Sequence, residues 1–501
     1  MSDLDTFGAL VLLGAAIGLV AVLSNRLIDR VPVPTPLLFL AAAALATHLS
    51  TDLQDVPNRS IERLVTLALA VILFDGGMRI GWPRLRTAAG PVMSVGVLGT
   101  FLTTLALAAL AHVALGLDWW VALLVGTAIA PTDPAVVFSV LGQREPAGRS
   151  GTILEGESGA NDPVGIALMA GLLSAGGVSA SALADVGVDF ALQMAVGTAV
   201  GVLGGRTLLA FMRRVALPDE GLYPLRTLTG ALVIFGAATV LSGSGFLAVF
   251  VAGLLLGDAR APYKGEIERF HSALASLSEI VAFLALGLTI DLGSLTQIQV
   301  WAPGLLIGAA LAFVVRPVLV GLCLLPFDLS RRERGFVLWA GLKGAVPLLL
   351  GSLLLDNDVP DGQRWYGVVV IAVVFSVLVQ GSTVSAAARL LGIRMHVREL
   401  EPWALSVRLR DEPDSVHRFT VEMGSPADGV PVADLSDASD DVWVSFVIRK
   451  AQLLRVTGKT TLRAGDEVVI LAGPDRHLGL AAAFGRRDDQ PPGDGDQRDK
   501  A

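Results

Sequence analysis

The sequence is poor in the residues that a water-soluble or disulfide-stabilised protein needs. Charged residues make up 17% of the 501 positions, whereas soluble domains have about 25%. Cysteine occurs once, at Cys323, which excludes a disulfide within the chain. Aromatic residues make up only 6%, while glycine occurs 55 times, and small residues let helix backbones approach closely in membranes. With 53% hydrophobic residues and a mean hydropathy of +0.64, the composition predicts a polytopic membrane protein.

The N-terminal residues lack the basic segment that opens a cleavable signal peptide. We therefore expect the first apolar segment to be retained. Apolar runs of roughly the 20 residues that cross a bilayer predict about thirteen transmembrane helices. They lie near 7–24, 34–50, 61–79, 88–116, 119–141, 152–175, 185–212, 224–242, 245–258, 271–290, 301–325, 335–355 and 365–391.

Basic residues concentrate in every second predicted loop, for example at Arg84 and Arg86 and at Arg331 and Arg332. The intervening loops are acidic, as at Asp118. Lysine and arginine mark cytoplasmic loops, so this alternation predicts an external N-terminus and a cytoplasmic C-terminus. We expect the protein to lie in the cell (inner) membrane.

The composition changes after residue 395. Alternating apolar runs at 442–448 and 467–471 predict strands. We therefore divide the chain into an all-α transmembrane domain at 1–395, a small cytosolic α/β domain at 400–485, and a tail at 486–501. The tail is rich in Asp, Pro, Gly and Gln, which predicts disorder.

The residues from Glu155 to Gly165 place three carboxylates, Glu155, Glu157 and Asp162, at the start of an apolar helix. A charge at the centre of a membrane helix costs roughly 2.5–3.5 kcal/mol, so such groups indicate a functional site. Asp162 precedes a proline and is interpreted as a carboxylate that holds either a cation or a proton, but not both. The alternative is a helix cap, which the nearby Glu157 makes less favourable.

Two predicted spans are interrupted by proline or glycine. Thr132 and Asp133 lie between two prolines, and Lys343 lies in a segment with two glycines and a proline. A pair of broken helices, one in each half, indicates an inverted-repeat transporter whose site lies at the bilayer midplane. Lys343 is expected to neutralise helix C-terminal ends. The alternatives are a proline-kinked helix in a loop and a lysine that extends to the interface.

Other charged residues in apolar surroundings are Arg316, Asp75, Glu279 and Asp258. Arg316 is interpreted as the partner of Glu157, or as a base that extends to the interface. Asp75 ends the third predicted span, either in an ion-access funnel or as a polar helix terminus. Glu279 and Asp258 are interpreted as helix-end groups.

A competing motif is Gly156-Glu-Ser-Gly159, which resembles that of intramembrane serine proteases. Such an enzyme would need a histidine beside Ser158. The predicted topology places His48 and His112 at external ends of spans and His271 at a cytoplasmic end, away from Ser158.

Several motifs stand out across residues 7–391. They are Leu73-Phe-Asp-Gly-Gly77, Thr132-Asp-Pro134, Glu157-Ser-Gly-Ala-Asn-Asp162, Ala216-Leu-Pro218, Gly221-Leu-Tyr-Pro224, Arg316-Pro317 and Gly341-Leu-Lys-Gly-Ala-Val-Pro347. Together they resemble the NhaP-type sodium/proton and potassium/proton antiporters of the cation:proton antiporter superfamily. The potassium/proton subgroup is most similar, and residues 400–485 resemble the RCK-C (TrkA-C) domain.

The resemblance implies the sodium/proton antiporter fold, with inverted repeats and two crossing broken helices. It makes Asp162 the carrier of cation and proton, and Asn161 beside it indicates an electroneutral member. Lys343 stands where most relatives have arginine, so the charge is kept but the bidentate fork is not. The implied ion ligands are Asp162, Ser158, Glu157 and the Thr132 backbone carbonyl, supported by Asn161, Asp133, Arg316, Lys343 and Asp75.

The expected function is exchange of a monovalent cation for a proton, with potassium favoured and sodium open. The alternatives are an uncoupled cation channel or sensor and, much less favoured, the protease. We expect a homodimer, no enzyme activity, no cofactor, no nucleic-acid partner, and a small regulatory ligand such as a nucleotide at the C-terminal domain.

Overall fold

The computed structural model describes most of the chain as two compact units, divided near residue 402. The first predicted span, 7–24, and the predicted disordered tail lie outside the described residues. These are 34–49, 56–141, 144–146, 149–259, 261–357, 359–397, 416–436, 442–449, 452–454, 456–472 and 483–484.

The described part of the first unit is mostly helical, with one small antiparallel sheet of two strands, β1 and β2. Three helical segments have the wider π geometry, and each continues an α-helix. The elements are α1 (Thr35–Leu49), α2 (Asn58–Met93), π1 (Ser94–Gly99), α3 (Thr100–Leu115), α4 (Trp119–Ile129), α5 (Pro134–Leu141), β1 (Arg144–Pro146), α6 (Arg149–Ala175), α7 (Ala180–Arg214), α8 (Leu222–Val240), α9 (Gly245–Gly257), α10 (Lys264–Leu288), α11 (Leu292–Leu295), α12 (Ile298–Ala310), π2 (Leu311–Val320), α13 (Gly321–Cys323), α14 (Arg331–Trp339), α15 (Ala345–Asp356), α16 (Gly362–Phe375), π3 (Ser376–Gly381), α17 (Ser382–Leu390) and β2 (Met395–Val397).

Each predicted span from 34–50 onward coincides with helix in the described ranges. Seven continuous helical segments there are long and apolar enough to cross a membrane, and α1, α9 and α15 are shorter apolar helices. The predicted spans 61–79 and 88–116 are not separated by a loop. They are two arms of one helical stretch that kinks at Gly81, whose φ of 65° is readily adopted only by glycine.

Glycines let α2 and α9 pack with their backbones in contact. A Cβ on Gly77 would lie 2.5 Å from the carbonyl oxygen of Phe250, and one on Gly253 would collide with the carbonyl of Phe74. This small-residue packing replaces the hydrophobic driving force that is weak between helices in lipid. It fixes α9 beside the helix that carries Asp75.

The second unit contains a four-stranded antiparallel sheet in the order β3-β6-β4-β5. Its core includes Phe419, Val447 and Ile470. The strands predicted at 442–448 and 467–471 are present as β4 and β6. The elements are β3 (Val416–Thr420), α18 (Val432–Ser436), β4 (Val442–Arg449), β5 (Gln452–Leu454) and β6 (Glu467–Ala472).

Candidate functional site

Two broken helices meet inside the first unit. Helix α4 ends at Ile129 and α5 begins at Pro134, while α14 ends at Trp339 and α15 begins at Ala345. The two unwound segments are joined directly, because the backbone N–H of Asp133 donates to the carbonyl of Leu342 at 2.8 Å. The pair of breaks predicted from proline and glycine is therefore present, and the breaks cross each other.

The carboxylate of Asp133 caps both helices that leave this crossing. Oδ1 accepts from the N–H of Ala135 at 2.9 Å, and Oδ2 accepts from the N–H of Ala345 at 3.3 Å. A negative group is favourable there, since helix N-termini carry partial positive charge. A Cβ at Gly344 would collide with this carboxylate. Asp133 thus stabilises the N-termini of α5 and α15.

Lys343 binds the backbone carbonyls at the C-terminal end of α4, where the first break begins. Its Nζ donates to the carbonyls of Ala130 at 2.7 Å and Pro131 at 2.9 Å, at the C-terminal end of α4. The residue is only 1% exposed. Lys343 therefore neutralises a helix C-terminal end as predicted, and the alternative of a side chain that extends to the interface is wrong.

A buried ion pair joins α6 to π2. Arg316 donates from Nη1 to Oε1 of Glu157 at 2.7 Å and from Nη2 to Oε2 at 3.0 Å. The side chains are 4% and 2% exposed. Arg316 also donates to the carbonyls of Val337 and Leu338, at the end of α14. The predicted pairing of Arg316 with Glu157 is present, and burial excludes the interface alternative for this arginine.

Thr132 links this ion pair to Asn161. Its hydroxyl donates to Oε1 of Glu157 at 3.2 Å and accepts from Nδ2 of Asn161 at 2.8 Å. All three residues are buried. Asn161, predicted as a supporting residue, is therefore tied to the crossing through the Thr132 side chain. The role of the Thr132 carbonyl as an ion ligand stays a prediction.

Asp162 lies in the interior of α6, one residue beyond Asn161. Its Oδ2 accepts from the hydroxyl of Ser158 at 3.2 Å. Within the described structure, neither Oδ1 of Asp162 nor Oδ1 of Asn161 has a hydrogen-bond partner, and both atoms are buried. The charge of Asp162 interacts with those of Asp133, Lys343 and Glu157. The helix-cap alternative is wrong, because α6 begins at Arg149 and runs through Asp162.

Buried polar oxygens are normally paired, so these two unpaired acceptors make this region the candidate site for a proton or a small cation. A carboxylate offers about four lone-pair sites and an amide oxygen two. Together with the Ser158 hydroxyl they form an oxygen-rich site, the chemistry that hard cations prefer. The site lies on α6, beside the crossing that supports it.

Asp75 lies in the interior of α2 before the kink at Gly81, so its interpretation as a polar helix terminus is wrong. It is buried and pairs with Arg79, whose Nε lies 2.7 Å from Oδ2. Arg79 also donates to the hydroxyl of Ser272 on α10 at 3.0 Å. The helix continues through Gly76 and Gly77 because Gly77 packs directly against the backbone of α9, and it kinks only at Gly81. A role for Asp75 in ion access stays a prediction.

Glu279 was expected at a helix end, but it lies in the interior of α10. The helix continues past Glu279 because residues 280–286 contain neither proline nor glycine. Glu279 interacts electrostatically with Asp133 and Arg79. The sequence signal for this placement is a single carboxylate within an apolar run. Asp258 follows the last residue of α9 and is a helix-end group, as expected.

The histidines offer no support for a protease site. His271 is fully buried inside α10, not at its end, and packs edge-to-face against Phe74 at 5.2 Å between ring centroids. The ring of His112, in the last turn of α3, bonds to the carbonyl of Leu117 just beyond that helix, and His48 is exposed at the end of α1. Ser158 donates instead to Asp162.

Comparisons with known proteins show which families and relatives the chain is similar to. The family model described as "Sodium/hydrogen exchanger, transmembrane" matches residues 8–390, and the TrkA-C domain model matches residues 416–485. A K(+)/H(+) antiporter NhaP2 of Shewanella sp. (strain ANA-3) is 33% identical over 484 residues, which cover 95% of this chain and 83% of that protein. A K(+)/H(+) antiporter NhaP of Alkalimonas amylolytica is 32% identical, covering 94% and 83%.

More distant similarity extends to proteins with other named cations. A Na(+)/H(+) antiporter NhaH of Halobacillus aidingensis is 28% identical over 66% of this chain and 83% of its own length. The structure of the sodium proton antiporter MjNhaP1 of Methanocaldococcus jannaschii superposes with a TM-score of 0.64, at 24% identity, over 77% of this chain and 98% of that one. This superposition shows that the fold is shared. The family model over residues 8–390 and the relatives at 32–33% identity show that the chain belongs to the family of transmembrane sodium/hydrogen exchangers.

Proposed function

We propose that this chain exchanges a monovalent cation for a proton across the cell membrane by alternating access. Cation:proton antiport accords with the family match over residues 8–390. Potassium is the favoured cation, because relatives at 32–33% identity over most of the chain are named potassium/proton antiporters. Sodium is the second candidate, since a more distant relative is named a sodium/proton antiporter.

The observation that carries the proposal is the open, buried Oδ1 of Asp162. An ionised carboxylate without a partner is strongly disfavoured away from water. Asp162 therefore holds either a proton or a cation, and the arrival of one releases the other. Because the empty ionised form is disfavoured, the site crosses the membrane in a loaded form, which is the condition for exchange.

The proposed cation ligands are Asp162, the Ser158 hydroxyl, Glu157 and the Thr132 backbone carbonyl. Three hydrogen bonds already reach Glu157, two from Arg316 and one from Thr132. A carboxylate has about four acceptor positions, so one position remains for an ion. Glu157 thus completes the shell while it also anchors α6 to π2.

The proposed exchange is electroneutral. Asn161 carries no charge, and the charge of Glu157 is balanced by Arg316 at 2.7 Å. Asp162 is then the carboxylate that changes its occupant, one proton for one monovalent cation. Membrane voltage should neither drive nor oppose such a cycle.

We further propose an external N-terminus and a cytoplasmic C-terminus, supported by the alternation of basic loops. The chain would act as a homodimer without a cofactor. The match of residues 416–485 to the TrkA-C domain supports a regulatory module that takes a small ligand such as a nucleotide.

The test is transport by the purified full chain in vesicles that contain a pH-sensitive dye. Proton movement is recorded after addition of potassium, sodium, lithium or rubidium, for the unmodified protein and for Asp162→Asn. Asp291→Asn is the matched control, because Asp291 caps a short surface helix. We expect proton movement that requires a cation, lost in Asp162→Asn and retained in Asp291→Asn.

Proton or cation flux that proceeds without its counter-ion would favour the uncoupled channel instead. Substantial cation-dependent exchange by Asp162→Asn would contradict the assignment of the carrier. Peptide hydrolysis that is lost in Ser158→Ala would favour the protease.

A further inference from the structure

The break between α14 and α15 is held from a neighbouring helix by two polar side chains of π3. Gln380 donates from Nε2 to the carbonyl of Trp339 at 3.1 Å. The hydroxyl of Ser376 accepts from the backbone N–H of Lys343 at 3.2 Å and donates to Oε1 of Gln380 at 2.8 Å. Ser376 and Gln380 are 3% and 2% exposed. We call these two residues and their three hydrogen bonds the Ser376–Gln380 clasp.

The clasp satisfies backbone groups that the broken helix leaves without partners. The last carbonyls of a helix have no partner within it, and Trp339 is the last residue of α14. The carbonyls of Val337 and Leu338 are taken by Arg316 of π2, and that of Trp339 is taken by Gln380. Two of the three π segments, π2 and π3, thus contribute side chains to the same break, in keeping with the frequent occurrence of π-bulges at functional sites.

The position of Lys343 depends on this clasp. Its backbone N–H is held by Ser376, and from that point its side chain reaches the carbonyls of Ala130 and Pro131. The charge of Lys343 also interacts with that of Asp162. The lysine therefore has two possible attachments, the carbonyls at the end of α4 or the carboxylate that carries the ion.

We propose that Ser376 and Gln380 are positioning residues that keep Lys343 on the carbonyls of Ala130 and Pro131, and so leave Asp162 open to the cation. Without the clasp the unwound segment gains freedom, and Lys343 moves toward Asp162 and competes with the cation. Cation affinity then falls, while the carrier and its ligands remain intact. This inference rests on the proposed function of Asp162.

The test measures cation-dependent proton exchange by the full chain in vesicles over a range of potassium concentrations. Ser376→Ala and Gln380→Leu each remove bonds of the clasp. Because a neutral hydrogen bond contributes about 1 kcal/mol, the potassium concentration at half-maximal rate should rise about fivefold in each variant. The maximal rate at saturating potassium should change less.

The matched control is Ser382→Ala, the same substitution six residues along the same helix. The hydroxyl of Ser382 is exposed and donates only to carbonyls of its own helix. The potassium concentration at half-maximal rate in Ser382→Ala should equal that of the unmodified protein.

A second comparison separates the hydroxyl from the packing around it. Ser376→Thr and Ser376→Val add similar volume, but only threonine keeps the hydroxyl. Ser376→Thr should stay near the unmodified half-saturating concentration, and Ser376→Val should resemble Ser376→Ala. A role in stability alone would instead lower the amount of folded protein without moving this concentration.

An unchanged half-saturating concentration in Ser376→Ala and Gln380→Leu, or a fall confined to the maximal rate, would overturn the proposed clasp. If Gln380→Leu does not fold, the Ser376 series decides the question. If the unmodified protein shows no cation-dependent proton exchange, the proposed function itself fails, and this result is distinct from failure of the clasp.

Discussion

Replacement of Glu157 by glutamine is the substitution whose effect the structure defines best. The change keeps the shape of the side chain and removes its charge. Arg316 would lose its balancing charge at a position where the guanidinium is only 4% exposed. One of its two bonds would also fail, because the new amide group can accept at one atom only. The variant should therefore be much less stable than the unmodified protein.

The expected loss is about 3–5 kcal/mol, the cost of leaving one member of a buried pair without its partner. Two features set the loss within that range. Arg316 keeps its bonds to the carbonyls of Val337 and Leu338, which reduces the loss. Thr132 keeps an acceptor only if the glutamine oxygen faces it. Transport by the folded fraction should fall less than stability does.

The assay is denaturant unfolding of the purified protein in mixed micelles, followed by tryptophan fluorescence. Glu266→Gln is the matched control, because Glu266 forms a looser pair with Arg269 at 3.7 Å and both side chains are exposed. That substitution should cost less than about 1 kcal/mol. The double variant Glu157→Gln with Arg316→Gln should lose less than the sum of the two single losses, since contacting residues couple.

Equal unfolding curves for Glu157→Gln and the unmodified protein would refute the pairing. A loss of unfolding free energy in the double variant that equals the sum of the two single losses would also refute it.

Three further outcomes follow from other parts of the chain. Asn161→Asp should shift exchange to higher pH, because the new carboxylate titrates together with Asp162. The measurement is exchange in vesicles with an imposed membrane potential. Voltage-dependent exchange by the unmodified protein would contradict the electroneutral cycle. Deletion of residues 400–501 should keep exchange and alter its regulation, and complete loss of transport by a correctly inserted truncation would show that the module is needed for the mechanism. In that module, burial favours protonated Asp466. The hydrogen bonds from Arg449 and from the backbone N–H of Arg463, together with the charges of both arginines, outweigh burial and hold the pKa of Asp466 below its ordinary value. Because the pKa of Asp466 is lower in the folded state, ionised Asp466 stabilises the fold. This contribution is fully present above the pKa of an aspartate in the unfolded chain, about 3.9. It is lost as the pH falls through the lower pKa of the folded state. Asp466→Asn should remove that acid dependence and cost about 2 kcal/mol at neutral pH; unchanged amide exchange of β6 in the full chain would contradict it.

The breaks at residues 130–133 and 340–344 could be predicted because proline and glycine interrupt helices through local backbone chemistry. The ion pair of Glu157 and Arg316 could be predicted for a different reason. Two opposite charges in apolar segments must find partners, and few other charges are present there. The family resemblance supplied the roles that these residues take.

Other contacts depend on which helices become neighbours, and no local pattern reports that. The double capping by Asp133 requires the N-termini of α5 and α15 to meet. The clasp requires π3 to lie beside the second break. The local sequence pattern also does not predict the π geometry, since the same residues are compatible with an α-helix.

Charged residues in apolar runs are poor indicators of a helix end in this protein. Glu279 lies inside α10 and Asp75 lies inside α2. In both cases the structure gives the carboxylate charged neighbours, Arg79 among them. A charge within an apolar run therefore indicated a polar interior rather than the edge of the membrane.

The most direct measurement of the central claim is proton release on cation binding. Potassium is added to the purified protein in a weakly buffered micellar solution, and the change in pH is recorded for the unmodified chain and for Asp162→Asn. If Asp162 trades its proton for the cation, the unmodified protein releases a proton for each cation bound, and Asp162→Asn releases none. Cation binding without proton release by the unmodified protein, or equal release by Asp162→Asn, would contradict the assignment.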